Sequence, residues 1–337
     1  MIPSEEINSW YQKHHRSLPW RENKSPYSVW LSEIILQQTR VAQGISYYHS
    51  FMEKYPNVED LARAPETDVL KTWEGLGYYS RARNLHKTAK IIDRNYKGVF
   101  PKTSTELLTL PGVGPYTASA IASICFEEAT PAIDGNVIRV VSRIYNLDIS
   151  AYNAAGKKTF EELGSELMGS HSPGDHNQAM MEFGAVICTP YPKCDKCPIV
   201  DGCESYRLGN QAERPVKKAK TKITKREMHF VLRTQGNKIA IQRRPSNGIW
   251  GGLFQLPLRE EAPEYATQKR LAGPVLHKLS HVHMQVFIWD ERELDIKDSY
   301  YFTNQTQWVT PEELKKLGFP IVLKRLINDN ILPLMLD

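Results

Sequence analysis

Residues 110–126 read LPGVGPYTASAIASICF. Gly112 and Gly114 permit a tight turn with positive φ, and Pro115 suits the first position of the helix that follows, where its fixed φ helps and its missing N–H is not needed. Ala118, Ile121, Ala122 and Cys125 recur at helical spacing and give that helix a packing face of small residues. The stretch predicts a helix-hairpin-helix. Backbone N–H groups at such a turn point outward at a helix N-terminus, where they hold a phosphate without reading sequence. An ordinary helical corner also uses Gly-x-Gly. The hydrophobic-Pro-Gly-Val-Gly order, followed at once by a small-residue helix, is the more specific signal.

Around this hairpin, up to about residue 187, apolar residues keep helical spacing: Val137, Val140, Val141 and Ile144, then Phe160, Leu163 and Leu167, then Met180, Phe183 and Ile187. This half reads as all-helical. From about 227 the period changes to two, with Met228, Phe230 and Leu232 on one strand face, Ile239 and Ile241 on another, and Val282, Met284, Val286 and Ile288 on a third. Thr310-Pro311-Glu312-Glu313 combines a capping box with proline in the first turn and announces a late helix. The second part is therefore mixed α and β. Between the two lie Arg207, Arg214, Lys217, Lys218, Lys220, Lys222, Lys225 and Arg226 against one acid, Glu213, the composition of a solvated linker that could also lie along phosphates. A chain of 337 residues, 41% hydrophobic, has the length for two or three domains, and its net charge of +5 is a mild excess. No apolar run approaches the roughly 20 residues needed to cross a bilayer. The opening MIPSEEINSWYQKHH lacks the features of a secretion signal, so a cytoplasmic protein that engages no membrane is expected.

Two carboxylates stand in contrasting contexts. In SVWLSEIILQQTRV, helical geometry sets Glu33 beside Val29, Trp30, Leu36 and Gln37. Burial there would raise its pKa and keep it protonated near neutral pH; a peripheral position on an amphipathic helix fits the pattern equally. Asp134, in ATPAIDGNVIRVVSRI, directly precedes a helical face, where it would cap the helix and stay ionised at the positive end of the dipole. Four of the five cysteines fall in CTPYPKCDKCPIVDGC, spaced C-x5-C-x2-C-x5-C at Cys188, Cys194, Cys197 and Cys203. Four thiolates in one short loop hold either a [4Fe-4S] cluster or a zinc ion, and spacing does not choose between them.

On the hairpin, the cysteine loop and the SEIILQQT and DGNV segments, the chain resembles the helix-hairpin-helix base-excision DNA glycosylases, which include endonuclease III and the adenine glycosylases of the MutY type. That resemblance implies Glu33 and Asp134 as the catalytic pair, with Asn136 orienting Asp134. Bifunctional members carry a lysine two residues after the second hairpin glycine; here the position is Tyr116, which implies a monofunctional enzyme with Tyr116 acting near the sugar. A flipped base leaves a gap, which Gln38 and Thr39 together with Leu76 and Tyr78 would fill. Gln178, in DHNQAMMEFGAVICT, would face the adenine edge, with Trp20 and Arg21 as the other wall. The resemblance favours a [4Fe-4S] cluster on the four cysteines, bracing a loop whose Lys193 and Lys196 would meet phosphates. The first spacer has five residues where these glycosylases have six, which shortens that loop.

The stretch RRPSNGIWGGLFQLPL resembles the start of a Nudix or MutT-like domain, but Arg259-Glu260-Glu261 runs into Ala262-Pro263, which breaks the acidic helix a pyrophosphohydrolase needs. In MutY-type enzymes this domain examines 8-oxoguanine through a Phe-Ser-His loop. Here HKLSHVHM places Leu279, Ser280 and His281 there, while His281 and His283 also read as ordinary residues of one strand face. The expected architecture is thus multidomain: an all-α helix-hairpin-helix glycosylase part with a [4Fe-4S] loop, plus an α+β Nudix-like C-terminal domain. Residues 1–25 and 133–206 would form the helical domain carrying the cysteine loop, 26–132 a helical barrel with the hairpin, 207–226 the basic linker and 227–337 the domain reading the opposite base. The resemblance implies a nucleoid-associated monomer that excises adenine opposite 8-oxoguanine or guanine in double-stranded DNA. A bifunctional endonuclease III-like lyase for oxidised pyrimidines, a noncatalytic DNA-binding module and a Nudix hydrolase are the rivals. Borohydride trapping, absent adenine release and magnesium-dependent triphosphate hydrolysis, respectively, would reveal them.

Overall fold

The computed structural model describes residues 3–217, 222–259, 269–292 and 306–335. The chain forms two compact units, Met1–Ala62 with Lys87–Ala219, and Arg63–His86 with Lys220–Asp337. Residues Glu260 to Pro263, where the acidic helix of a Nudix enzyme is expected to break, lie outside the described residues, as do Lys218 and Lys220 of the basic stretch.

The first unit is helical, as its apolar spacing predicts. Its organising element is the helix Pro173–Val186, which packs against the helices Ser4–His14, Pro115–Phe126 and Gly135–Ile144. Two glycines make that approach close. A Cβ at Gly174 would fall 2.8 Å from the backbone of Ser123 and Ile124, and one at Gly184 would fall 2.7 Å from Asn136 Cβ and 2.9 Å from its carbonyl oxygen. Ile7, Val140, Val141, Phe160, Leu167, Ala179 and Phe183 fill the space between these helices as one apolar cluster. Burying each such side chain contributes about 1.5–3 kcal/mol, so the helices are held by this seam rather than by their own propensity.

In the second unit, strands β1 (Thr224–Leu232), β2 (Thr234–Gln235), β3 (Lys238–Arg243), β4 (Phe254–Gln255), β5 (Leu258–Arg259), β6 (Arg270–Lys278), β7 (Val282–Asp290) and β8 (Thr306–Val309) form two sheets. One has the order β5-β1-β7-β6; in the other β3 sits between β2 and β4 and also pairs with β8. β1 and β7 run parallel with Phe230 opposite Ile288, whereas β6 and β7 form an antiparallel hairpin. Alternation holds only in part. His229 and Val231, on the face that period two assigns to solvent, are buried, and His229 stacks on Phe287 and Trp289 at 4.9 and 5.9 Å. The helix Pro311–Lys316 starts at Thr310 with both hydrogen bonds of the capping box. The segment 63–86 belongs to this unit: Lys71 Nζ donates to Leu317 O (2.9 Å), and the Glu74 carboxylate takes Phe319 N–H (3.2 Å) and pairs with Lys324.

Candidate active site

The helix Pro26–Leu36 is capped by Ser25, whose side chain accepts from Ser28 N–H, and it is buried along almost its whole length. Glu33 is 9% exposed, so the helix buries a carboxyl rather than displaying it at a periphery. Desolvation, the largest influence, pushes its pKa up to about 7; a hydrogen bond shared with Tyr116 opposes this, and the charge of Asp134 adds to it. Burial also raises the Tyr116 phenol well above its ordinary value, so it stays protonated; its Oη donates to Met181 Sδ at 3.1 Å.

Asp134 caps the helix Gly135–Ile144. Its Oδ1 accepts from Asn136 N (2.8 Å) and Val137 N (2.7 Å), and its Oδ2 from Asn136 Nδ2 (2.7 Å). Asp134 is the expected helix cap; burial raises its carboxyl from the ordinary value, against those hydrogen bonds. Three donors nevertheless stabilise charge at Asp134, where Glu33 has one, so a proton entering the pair goes to Glu33. Asn136 is itself held: Arg139 Nη2 donates to Asn136 Oδ1 (2.9 Å) and Gly184 O (2.7 Å), while Arg139 Nε donates to Cys188 O (2.6 Å).

Glu33, Tyr116, Asp134 and Asn136 line one cavity of about 540 Å³, together with Trp20, Arg21, Gln37, Gln38, Thr39 and Gln178. Gln178 is buried, with Nε2 donating to Gly174 O at 3.3 Å. Gln38 is exposed with φ +58°, and Gln37 Nε2 reaches Thr117 Oγ1 at 3.3 Å. Among the lining residues that sequence reasoning missed are Arg16, Met181 and Glu182. Glu182 is 1% exposed and takes Arg16 N (3.1 Å), Nε (2.6 Å) and Nη2 (2.8 Å) and Arg21 Nη2 (2.8 Å). Burial alone would raise its pKa, but the hydrogen bonds from Arg16 and Arg21 outweigh it and hold Glu182 at about 2. A signal was present, since Glu182 lies four residues after Gln178 and shares its helix face.

At the hairpin, Gly112 has φ +80° as expected, but Gly114 does not: it is the helix N-cap with φ −93°, and a Cβ there would meet nothing within 4 Å. Neither backbone conformation nor packing inside the protein asks for glycine at 114. In the second unit, Leu76, Tyr78, Ser280 and His281 line another cavity, of about 500 Å³, with Arg83, Trp250 and His277. Leu76 is buried while Tyr78 is 46% exposed, with φ +46° between Gly77 at +73° and Ser80. Ser280 and His281 form the exposed tip of the β6–β7 hairpin, closed by Leu279 N–H to Val282 O at 2.8 Å, so His281 sits in the turn rather than on a strand face with His283.

Cys188, Cys194, Cys197 and Cys203 line one void of about 20 Å³ with Val140, Ile144, Phe183 and Ile199. Among the described residues no three His, Cys, Asp or Glu side chains close on a site for a single metal ion. Burial pushes the Cys197 thiol up to about 12 and raises Cys194 and Cys203, with charge at neighbouring cysteines adding to each. Beside them Arg143, 3% exposed, donates to Gln211 O (3.0 Å), Thr189 O (2.6 Å), Pro190 O (3.2 Å) and Cys188 Sγ (3.4 Å). A buried guanidinium bonded to carbonyls and a thiol suits an anionic, thiolate-ligated group held by these cysteines, although the void between them as it stands has room only for about one water.

The HhH-GPD superfamily of base excision DNA repair proteins matches residues 31–166, and a NUDIX domain matches 228–329. The chain is 35% identical to the adenine DNA glycosylase of Buchnera aphidicola subsp. Baizongia pistaciae over 96% of its length and 95% of that protein. It is 30% identical to the adenine DNA glycosylase of Homo sapiens, covering 95% of this chain and 72% of that one. Among solved structures, a thermostable thymine-DNA glycosylase aligns with TM-score 0.56 and 29% identity over 61% of this chain and 95% of that chain. Endonuclease III in a trapped covalent complex with DNA shares the fold at TM-score 0.53 and 23% identity, over 61% and 94%. Fold and site together define a base-excision DNA glycosylase of the helix-hairpin-helix class. Within that class the chain belongs to the adenine DNA glycosylase family. Among the described residues no helix is long and apolar enough to cross a membrane.

Proposed function

We propose that this chain excises adenine paired with 8-oxoguanine or guanine in duplex DNA, by hydrolysis and without a Schiff base. The observation that carries the reading is one cavity holding two carboxyls, Glu33 buried and raised to about 7 and Asp134 half-buried and fixed by three hydrogen bonds. Glu33 donates its proton to a ring nitrogen of the departing adenine. The Asp134 carboxylate stabilises the oxocarbenium-like sugar, held in orientation by Asn136. Water then adds to the anomeric carbon and gives its proton to the Glu33 carboxylate, leaving free adenine and an abasic sugar. Tyr116 stands where a lyase needs an amine, and a protonated phenol cannot form an imine.

Gln178 faces the adenine edge, with Trp20 and Arg21 opposite. Gln38 and Thr39 fill the space the flipped nucleotide leaves, Tyr78 beside Leu76 contacts the DNA, and Ser280 with His281 examines the partner base. At the hairpin, Gly112 makes the turn and Gly114 leaves room for a phosphate at the helix N-terminus. The four cysteines would hold a [4Fe-4S] cluster that braces the loop of Lys193 and Lys196 against the backbone and takes no part in the hydrolysis. Its DNA substrate places the protein at the nucleoid in the cytoplasm, as a monomer. The test is single-turnover adenine release from duplexes differing only in the partner base. Release opposite 8-oxoguanine that is lost in Glu33→Gln supports the reading, and release surviving in that variant overturns it.

A further inference from the structure

We propose that Met181 is a positioning residue for the adenine-releasing step: its thioether accepts a hydrogen bond from the Tyr116 O–H while Glu33 is protonated and releases it when Glu33 becomes a carboxylate. The inference rests on the assignment of Glu33 as the acid. A phenol has one proton to donate, and two acceptors compete for it here, Met181 Sδ at 3.1 Å and the Glu33 carboxyl. With Glu33 protonated, its O–H donates to Tyr116 Oη and the phenol donates onward to sulfur, so every donor is used. Once Glu33 has passed its proton to the leaving base, the phenol turns to the new carboxylate and leaves the sulfur bare. A thioether is a weak acceptor, so that turn costs little, whereas a carbonyl in its place would hold the phenol back.

The placement is built into the fold. Met181 projects from the helix Pro173–Val186 into the cavity, three residues after Gln178 and one before Glu182, on the element whose Gly174 and Gly184 fix its approach to both neighbouring helices. The charged and titratable groups acting on Glu33 are Tyr116 and Cys125 from the hairpin helix, Asp134 from the cap of the next, and Arg21 from the segment before the Glu33 helix. None of them is Met181, which carries no charge and acts only by offering the phenol another place to point.

The test replaces Met181 by leucine, similar in volume and unable to accept, and by glutamine, which accepts through its amide oxygen. In Met181→Leu the phenol is left to Glu33 alone, which favours the carboxylate and lowers its pKa. The alkaline limb of the single-turnover rate should then move down by about one pH unit, so that the rate falls roughly ninefold at pH 8 and about twofold at pH 6. Met181→Gln should return the limb to the wild-type position or above it. A carbon-13 NMR titration of the Glu33 carboxyl in the same proteins reads the shift without turnover. An unmoved titration in Met181→Leu, or an equal downward shift in both variants, overturns the proposal. Failure of the wild type to release adenine, or release retained in Glu33→Gln, would instead refute the assignment of Glu33 and leave the titration to judge Met181.

Discussion

The two cavities are nearly equal in size, about 540 and 500 Å³, and opposite in chemistry. The first, in the helical unit, is lined by Glu33, Asp134, Glu182, Arg16, Arg21 and Tyr116; the second has no carboxylate among its lining residues and presents Trp250, His277, Ser280, His281 and Tyr78. Proton transfer to a leaving base needs an acid of perturbed pKa, which the first supplies, while telling one base from another needs shape and directed hydrogen bonds, which the second offers. Under the proposed function, equal volume goes with a division of labour: the first cavity would perform the hydrolysis without judging the partner base, and the second would judge it without touching the bond.

The hardest blow to this contrast falls on the acid. Glu33→Gln should lower the single-turnover rate of adenine release by about 10²- to 10⁴-fold, and Asp134→Asn by a comparable factor. Undiminished release in both would move the chemistry out of the first cavity. The same carboxyl carries a pH signature. Its folded pKa of about 7 lies above the ordinary 4.5, so the folded state holds the proton more tightly than the unfolded chain. Its protonation therefore favours folding at low pH, and that contribution drains away as pH rises from about 4.5 through 7. Glu33→Gln should accordingly stabilise the protein by roughly 3 kcal/mol at pH 8 and little at pH 4.5, read from thermal melts at the two values.

Glu182 sharpens the comparison from the other side, because it is a buried carboxyl of the same cavity with its pKa depressed to about 2. Its stabilisation is present above the ordinary carboxylate range and lost as pH falls toward 2. Arg16 is 42% exposed and contributes a screened interaction; Arg21, 13% exposed, carries more of it. Glu182→Gln should cost roughly 2 kcal/mol in urea melts at pH 7 and loosen the Arg16 and Arg21 side chains it holds. In the second cavity, Ser280→Ala should reduce the preference for 8-oxoguanine over guanine opposite adenine by roughly three- to tenfold and leave the chemical step on the preferred duplex close to wild type. A collapse of the chemical step would merge the roles of the two cavities. The smallest effects concern the hairpin. Gly112→Ala should cost about 1 kcal/mol for a side chain at positive φ, whereas Gly114→Ala should change stability by a few tenths and weaken duplex binding a few-fold in a salt titration.

Much of this was legible in the chain itself. The apolar spacing of Val137 to Ile144 reports a helix, and Asp134 reports its cap, because both depend on neighbours within four residues. Glu33 was legible as an acid inside an apolar run. The departures share a cause. Gly114 was read as a positive-φ residue because Gly-x-Gly does not tell which glycine makes the turn and which caps the helix. The raised pKa of Asp134 depends on how completely distant helices cover it, and the pairing of Glu182 with Arg16 joins residues 166 positions apart. Burial of His229 required the stacking of Phe287 and Trp289 beside it, which no local period records. The segment 63–86 is helical by its own sequence, yet its grouping with strands beyond residue 220 is a matter of long-range contact.

At Gly184 two main chains meet with no room for a methyl group. The rod that carries Gln178, Met181 and Glu182 is thereby wedged against the residue that steadies Asp134. A tilt of that rod would press on Asn136 and so disturb the Asp134 carboxylate it holds. The wall that Gln178, Met181 and Glu182 form is therefore open to change through its side chains along one fixed axis, and closed to change through the set of the helix.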